Sequence, residues 1–427
     1  MDSSKMNLGF MAFSTYFRLA SQFIIFLVLA RRLGAEQFGY FSYLLSICTI
    51  ILLPVNYGFG MQLMREAAYN SELLTVKMQD MIKAKTCLVL IVLILCAVYS
   101  LFGLISTMFW LMLTSLLFES YTELYNYALR SQGLFRQEAR LALITSLFQF
   151  IIVIAVATTY AKIYAVIISY FITRLISYCI TLKIYGQSIG CVKGELNINL
   201  KNVVISLRSG FPYAADMAVT TMNNSVDIVL IKNMIGIHSV GVYQAGMRLM
   251  MGGATPATVV SNVYLPRIAS LGIASIEYKY AVREVATKMI VLGAAISIIL
   301  TLFDELIVSK LFGNQYSELA GIFNLFAAIL MLKYLAACLG VNLTAAGYQS
   351  VRAIANIVYL IVFIVASLML MPYYNLTGVL LSTILATSSL ILLYGAYAVL
   401  KKLPIGLSIY NVVILLIVVI IYLARLL

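Results

Sequence analysis

Charge is what this sequence has least of. Only 11% of its 427 residues are Asp, Glu, Lys or Arg, less than half the ~25% typical of soluble domains. Histidine occurs once, at His238, which excludes His-rich metal sites, haem held by a His pair and any two-His mechanism. The six cysteines show no C-x-x-C spacing, and all but Cys191 lie in apolar runs, so neither a zinc site nor a disulfide framework is expected. No G-x-x-x-x-G-K-[ST] occurs, which excludes a P-loop and direct drive by ATP. No cofactor is expected.

What the chain does have is apolar surface: 63% hydrophobic residues and a mean hydropathy of +1.00. Soluble proteins must cover themselves with polar groups, so this composition implies an all-α polytopic membrane protein. Runs of about 20 mostly apolar residues, the length of a membrane helix, occur at 10–30, 38–58, 86–105, 108–128, 141–161 and 163–185. A second set follows at 210–232, 239–265, 286–309, 320–343, 351–371 and 376–400, and a thirteenth at 409–427. The first run carries Arg18 near its middle and is followed by no small-residue cleavage site, so it is expected to stay as a helix. The stretch 66–85 mixes charges with Leu73, Leu74, Val76, Met78, Met81 and Ile82, which predicts an amphipathic helix on the inner surface.

The net charge of +13 is distributed as basic loops on one side of a membrane. With the N-terminus in the cytoplasm, 19 Lys and Arg fall inside and 6 outside, the bias that sets orientation. Nucleic-acid binding is therefore not expected.

The chain contains an internal repeat. Gly34 and Gly39, joining helices 1 and 2, recur as Gly236 and Gly241 between helices 7 and 8. At the same offset Pro54 meets Pro256 and Arg65 meets Arg267. Gly133 after helix 4 is matched by Gly347 after helix 10. We therefore expect two six-helix bundles, residues 1–205 and 206–402, plus a further C-terminal hydrophobic helix at 403–427. Six is even, so the copies form a parallel repeat about an axis along the membrane normal, an arrangement used for alternating access, with substrate bound at the midplane. Pro54 and Pro256 would kink helices 2 and 8 and let them gate, or would only curve them for packing.

Eight ionisable residues lie toward the interior of these spans. Each costs about 3 kcal/mol near a helix centre, so they should face water or each other. Arg18, Arg174, Arg248 and Lys333 lie roughly 12–20 Å into their helices, and suit an anionic, hydroxyl-rich substrate such as a phosphate bound bidentately. Glu119 and Glu123 share a helix face, as do Asp216 and Asp227, with Thr220, Asn223 and Asn224 between the latter two. These acids would either take up a proton or Na⁺ or serve as counter-charges, for example pairing Arg18 with Asp216 or Asp227. His238 is expected to be solvated.

The segment Ala30-Arg31-Arg32-Leu33-Gly34-Ala35-Glu36-Gln37-Phe38-Gly39-Tyr40-Phe41 resembles the R-x-L-G-x-x-x-F-G pattern after the first helix of bacterial polysaccharide flippases. These are the Wzx-type O-antigen transporters of the multidrug/oligosaccharidyl-lipid/polysaccharide exporter superfamily. The resemblance implies a non-enzymatic inner-membrane flippase that moves an undecaprenyl-pyrophosphate-linked oligosaccharide from the cytoplasmic to the periplasmic face. It implies coupling to H⁺ or Na⁺, and membrane lipids and other polysaccharide-assembly membrane proteins as partners. The run 409–427 departs from the twelve-helix pattern. The alternatives are a multidrug exporter of the same superfamily, whose cationic substrates a cavity bearing Arg18, Arg174, Arg248 and Lys333 would repel, and a membrane enzyme such as an O-antigen polymerase.

Overall fold

The computed structural model describes residues 2–67, 70–103, 105–190, 200–406, 410–411, 413–415 and 417–418. Its secondary structure there is helical throughout. Helix α1 spans Asp2–Ile51, α2 Leu53–Asn56, α3 Phe59–Glu66, α4 Ser71–Leu101, α5 Thr107–Ser131, α6 Phe135–Thr159 and α7 Ile163–Ser188. Helix α8 follows at Leu200–Met234, α9 at Ile237–Ala269, α10 at Ile276–Leu302, α11 at Asp304–Leu311, α12 at Ser317–Ala345 and α13 at Gln349–Leu400.

Twelve of the thirteen apolar runs lie in these helices; the thirteenth falls largely outside the described residues. The helical runs α1 and α13 each contain two of the expected spans. Gly34 bends α1 with φ 76 and ψ 170, and Asn375 bends α13 with φ 50 and ψ −128. Seven of the described helices are long and apolar enough to cross a membrane. Helices α5, α8 and α9 have comparable length but carry five of the intramembrane charges, Glu119, Glu123, Asp216, Asp227 and Arg248. Side chains such as Leu101, Phe102 and Met369 point outward, as expected where the surrounding medium is lipid.

Helix starts follow local chemistry. The side chains of Asn70, Ser106 and Ser275 accept hydrogen bonds from the Leu73, Phe109 and Tyr278 amides and cap α4, α5 and α10, each worth about 1 kcal/mol. The 66–85 stretch is not a separate surface helix. From Ser71 it is continuous with the third span in α4, and its Leu74, Met78, Met81 and Ala84 are buried in a core with Phe59, Leu63, Leu124 and Leu129. Leu74, Met78 and Met81 thus face protein, while Leu73 and Val76 are exposed.

The chain divides by contacts into two compact units. The first comprises Met1–Leu33 and Tyr40–Val226, the second Gly34–Gly39 and Asp227–Leu427. The division thus falls inside α8, whereas the sequence repeat had suggested a boundary at 205. Within the second unit, Val418 of the last run is buried beside Ile290, Ala294 and Met331.

The repeat is visible in matching turns. Gly133 and Gly347, with φ 72 and 85, end α5 and α12. In the first turn the amides of Gly133 and Leu134 donate to Arg130 O and Leu129 O; in the second, those of Gly347 and Tyr348 donate to Thr344 O and Leu343 O. A side-chain clasp spans each turn. Arg130 pairs with Glu138 in the first, and Arg352 donates to Thr344 in the second, so the cation has changed sides. The two G-x-x-x-x-G segments also meet, within the second unit. A Cβ on Gly39 would collide with Ile237 O, and one on Gly241 with Ala35 O. Under the offset that relates the copies these are one contact made twice.

Pro54 does not kink a continuous helix. Helix 2 ends at Ile51, and Pro54 stands in the first turn of the short α2, where a missing amide is harmless. Tyr57 and Gly58 then adopt left-handed conformations before α3 begins. Pro256, by contrast, lies inside the uninterrupted α9.

A polar cavity and a buried carboxylate

The first unit encloses a cavity of about 200 Å³ among α1, α5, α6 and α7. Arg18 and Gln22 line it from α1, and Glu119, Thr122, Glu123 and Asn126 from α5. Thr145, Ser146 and Gln149 come from α6, and Arg174 and Ser177 from α7. Helical spacing produces this wall. Residues 119, 122, 123 and 126 repeat at three and four, so one face of α5 is polar while Leu116, Leu117 and Leu124 are buried.

Arg174 is 7% exposed. Its Nη2 lies 2.8 Å from Glu119 Oε2, Nη1 donates to Ser115 Oγ at 3.4 Å, and the guanidinium sits 5.4 Å from the Tyr170 ring centroid. The counter-charge of this arginine is therefore on α5. Arg18 and Glu123 are exposed and interact electrostatically. The suggested pairing of Arg18 with Asp216 or Asp227 is replaced by these neighbours, because α1 packs its polar face toward α5 in this unit.

Glu123 also lines a second, smaller cavity with Asn56, Lys85 and Ser120. Lys85 precedes the third apolar run, yet it is only 2% exposed. Its Nζ donates to Ser120 O at 3.1 Å and to Asn56 Oδ1 at 3.4 Å, and lies 5.3 Å from the Tyr121 ring centroid. The apolar run opens at Thr86, one residue later, which hid it. The signal was the spacing Leu74, Met78, Met81, Lys85, Leu88, which puts Lys85 on the buried stripe of α4. Lys85, Arg18 and Arg174 face Glu119 and Glu123, so the cluster carries one surplus positive charge.

In the second unit the carboxylate of Asp227 is buried, 5% exposed. Tyr243 OH donates to its Oδ2 and the Ile228 amide to its Oδ1, both at 2.8 Å. Lys333 on α12 and Tyr359 on α13 interact with it electrostatically. Arg248 is half-buried on α9. Asp216 is exposed, as are Thr220 and Asn224. Eleven residues of helix place both acids on one face, but the contact division between Val226 and Asp227 puts them in different units. His238 is exposed, 3.7 Å from Glu318. Among the described residues no group of three or more His, Cys, Asp or Glu could hold a metal ion.

Also in the first unit, α3 docks on α8. Gln62 Nε2 donates to Ser209 Oγ at 2.8 Å and Arg65 Nη1 to Tyr213 OH at 3.0 Å. Glu66 accepts from Gln62 at 3.0 Å and lies 2.8 Å from Lys77. Partial burial pushes the Glu66 carboxyl up, but those two bonds and the charges of Lys77 and Arg65 hold it below the usual carboxylate range. Arg267, the counterpart of Arg65, instead lies 3.4 Å from Glu284 of α10.

Comparison with known proteins adds three findings. The family described as "Polysaccharide biosynthesis protein" matches residues 28–321, more than half the chain. A Shigella dysenteriae protein that carries the name O-antigen transporter is 22% identical over 396 residues, covering 88% of this chain and 95% of its own. The capsular polysaccharide biosynthesis protein CapF of Staphylococcus aureus is 25% identical over 211 residues, 48% of this chain; the match spans about half, 53%, of CapF. Among solved structures, the lipid II flippase MurJ in an inward closed conformation superposes with a TM-score of 0.72 at 15% identity, covering 97% of each chain. An inward-facing multidrug transporter of the MATE family gives 0.62 at 16% identity, covering 91% of this chain and 96% of its own. At those identities the likeness establishes the fold.

Proposed function

The chain belongs to the polysaccharide biosynthesis protein family, and from that premise we propose that it flips an undecaprenyl-pyrophosphate-linked oligosaccharide from the cytoplasmic to the periplasmic leaflet of the bacterial inner membrane, with its N-terminus inside. The observation that carries this reading is the polar cavity of the first unit. Helices of a membrane protein enclose a wall of amides, hydroxyls, two arginines and two glutamates, with Lys85 in the adjoining cavity. Such a wall suits a glycan head that has to cross lipid without shedding its polar partners into hydrocarbon.

The four cations divide by role. Arg18, exposed on the cavity wall, meets the diphosphate, with Arg248 as the corresponding cation of the second unit. Arg174 and Lys333 sit beside Glu119 and Asp227 and act through those acids. Asp227 is the coupling site for H⁺ or Na⁺, because it is the buried carboxylate of the pair on α8. The break at Pro54 and the unbroken helix at Pro256 give the alternating-access movement one flexible and one stiff element. The substrate is transported unchanged, so no catalytic residue is assigned.

The test is translocation of a fluorescent polyprenyl-diphosphate sugar in vesicles. Arg18→Ala should abolish it while the protein still inserts, and Arg18→Lys should restore it only in part because the guanidinium fork is lost. Wild-type translocation by Arg18→Ala would overturn the assignment.

A further inference from the structure

Three of the four hydroxyls around the cavity have already used their hydrogens. Thr122 Oγ1 donates to Phe118 O at 2.8 Å, Thr145 Oγ1 to Leu141 O at 2.9 Å, and Ser177 Oγ to Thr173 O at 2.7 Å. Each hydroxyl has one hydrogen and two lone pairs, so these three have only acceptor capacity left for the cavity. Glu119 and Glu123 add carboxylate oxygens to the same wall. Asn126 Oδ1 is buried with no hydrogen-bond partner among the described residues, a condition that is unfavourable until a donor arrives.

This wall therefore needs donors. A diphosphate brings acceptors and negative charge, and would set its oxygens against carboxylates and lone pairs. A sugar ring brings hydroxyl hydrogens in several directions and carries no charge. The donors that are present are Arg174, already engaged by Glu119 and Ser115, Arg18, the Ser146 hydroxyl and the amide NH₂ groups of Gln22, Asn126 and Gln149; the neutral ones suit a ring that also accepts. At about 200 Å³ the space is smaller than the ~300–1,000 Å³ clefts that take drug-sized ligands, which matches one ring rather than a chain of them. We propose that the cavity of the first unit is a subsite for one uncharged sugar ring, with Asn126 and Gln149 as its specificity-determining residues, while the diphosphate is held by Arg18 at its edge. The proposal rests on the flippase reading and adds to it the part of the substrate that this cavity recognises.

The test uses the full-length protein in nanodiscs and two kinds of probe: a panel of free neutral monosaccharides (hexoses, 6-deoxyhexoses and N-acetylhexosamines) and sodium pyrophosphate. Binding is read by saturation-transfer NMR, and the site by hydroxyl-radical footprinting of α5 and α6. At least one neutral sugar should bind wild type saturably and protect both helices. Asn126→Leu and Gln149→Leu should each weaken it roughly three- to tenfold and leave pyrophosphate binding unchanged. Thr145→Val, which keeps the shape and removes the acceptor, should act in the same direction and decides the matter if the Leu variants do not fold. Overturning results are no saturable sugar binding to wild type, protection elsewhere than α5 and α6, or sugar affinity unmoved in the folded variants. Translocation of the lipid-linked probe without sugar binding would sink the subsite alone. Sugar binding without translocation would instead sink the flippase reading.

Discussion

Pro54 and Pro256 occupy equivalent positions of the repeat, but the backbone around them differs. After Pro54 the chain turns left-handed at Tyr57 and Gly58 before resuming as α3, whereas α9 runs past Pro256 to Ala269 without interruption. The repeat offset sets Val259 and Val260 where the first copy has Tyr57 and Gly58. A β-branched residue resists positive φ, while glycine adopts it freely. The two prolines are therefore not what distinguishes the helices; the residues four positions later are. The charged centres differ in a parallel way. In the first unit Arg18, Glu119 and Glu123 are exposed to a cavity, and Lys85 fastens onto Asn56 at the broken helix. In the second unit Tyr243 and a backbone amide close over Asp227.

The sharpest way to break this contrast is to compare the two acids of α8. Asp227→Asn leaves Lys333 beside a neutral group, and removing one partner of a buried charge pair costs about 3–5 kcal/mol. Thermal unfolding in detergent should show that loss, and translocation in whatever folds should no longer respond to an imposed ion gradient. Asp216→Asn, at an exposed position, should stay within about 0.5 kcal/mol of wild type. Equal effects from the two variants would show that sealing of the carboxylate does not distinguish the units.

Gly58→Val tests the backbone difference by giving the first copy the residue of the second. At φ 68 a valine carries about 1–3 kcal/mol of strain, and its Cβ would lie 2.6 Å from the Tyr213 carbonyl carbon. Unfolding temperature and translocation should both fall. The reverse exchange, Val260→Gly, lacks that collision and should cost about 0.5 kcal/mol through helix propensity.

The smallest effect concerns Glu66, beside Arg65, whose counterpart Arg267 has a different partner. Because the folded protein holds the Glu66 carboxyl low, the Glu66–Lys77 pair contributes stability above the ordinary carboxylate range and loses it as the pH falls through the lowered value. The pair is partly exposed, so less than about 1 kcal/mol is at stake. Melting curves from neutral into acid pH should show wild type and Glu66→Gln converging as the pH falls.

The spans were legible because twenty apolar residues have few other uses, and the turns at Gly133 and Gly347 because positive φ leaves a glycine behind. Partners were harder to read. The spacing of Glu119 and Glu123, or of Asp216 and Asp227, identifies a shared face but not the helix opposite it. Arg174 was thus matched to a substrate before its neighbour Glu119 was visible. Lys85 escaped because hydropathy windows stop at a charge, although a buried stripe on a helix need not. The polar wall of the cavity was legible only one helix at a time, since Gln22, Asn126 and Gln149 are far apart in sequence and ordinary in composition.

The reciprocal packing of Gly39 on Ile237 and of Gly241 on Ala35 bears on how the chain came to look as it does. Where a duplicated segment faces its own copy, a substitution in either half has to be tolerated by the other at the same surface, so the two cannot drift independently. Segments that face lipid or unrelated helices are under no such joint constraint and are free to lose their likeness. A backbone contact with no room for a Cβ is the strictest form of that constraint, because only one residue type satisfies it on each side. Gly39 and Gly241 therefore read as the positions that this self-facing geometry holds to one residue type, and the helices around them as free to differ.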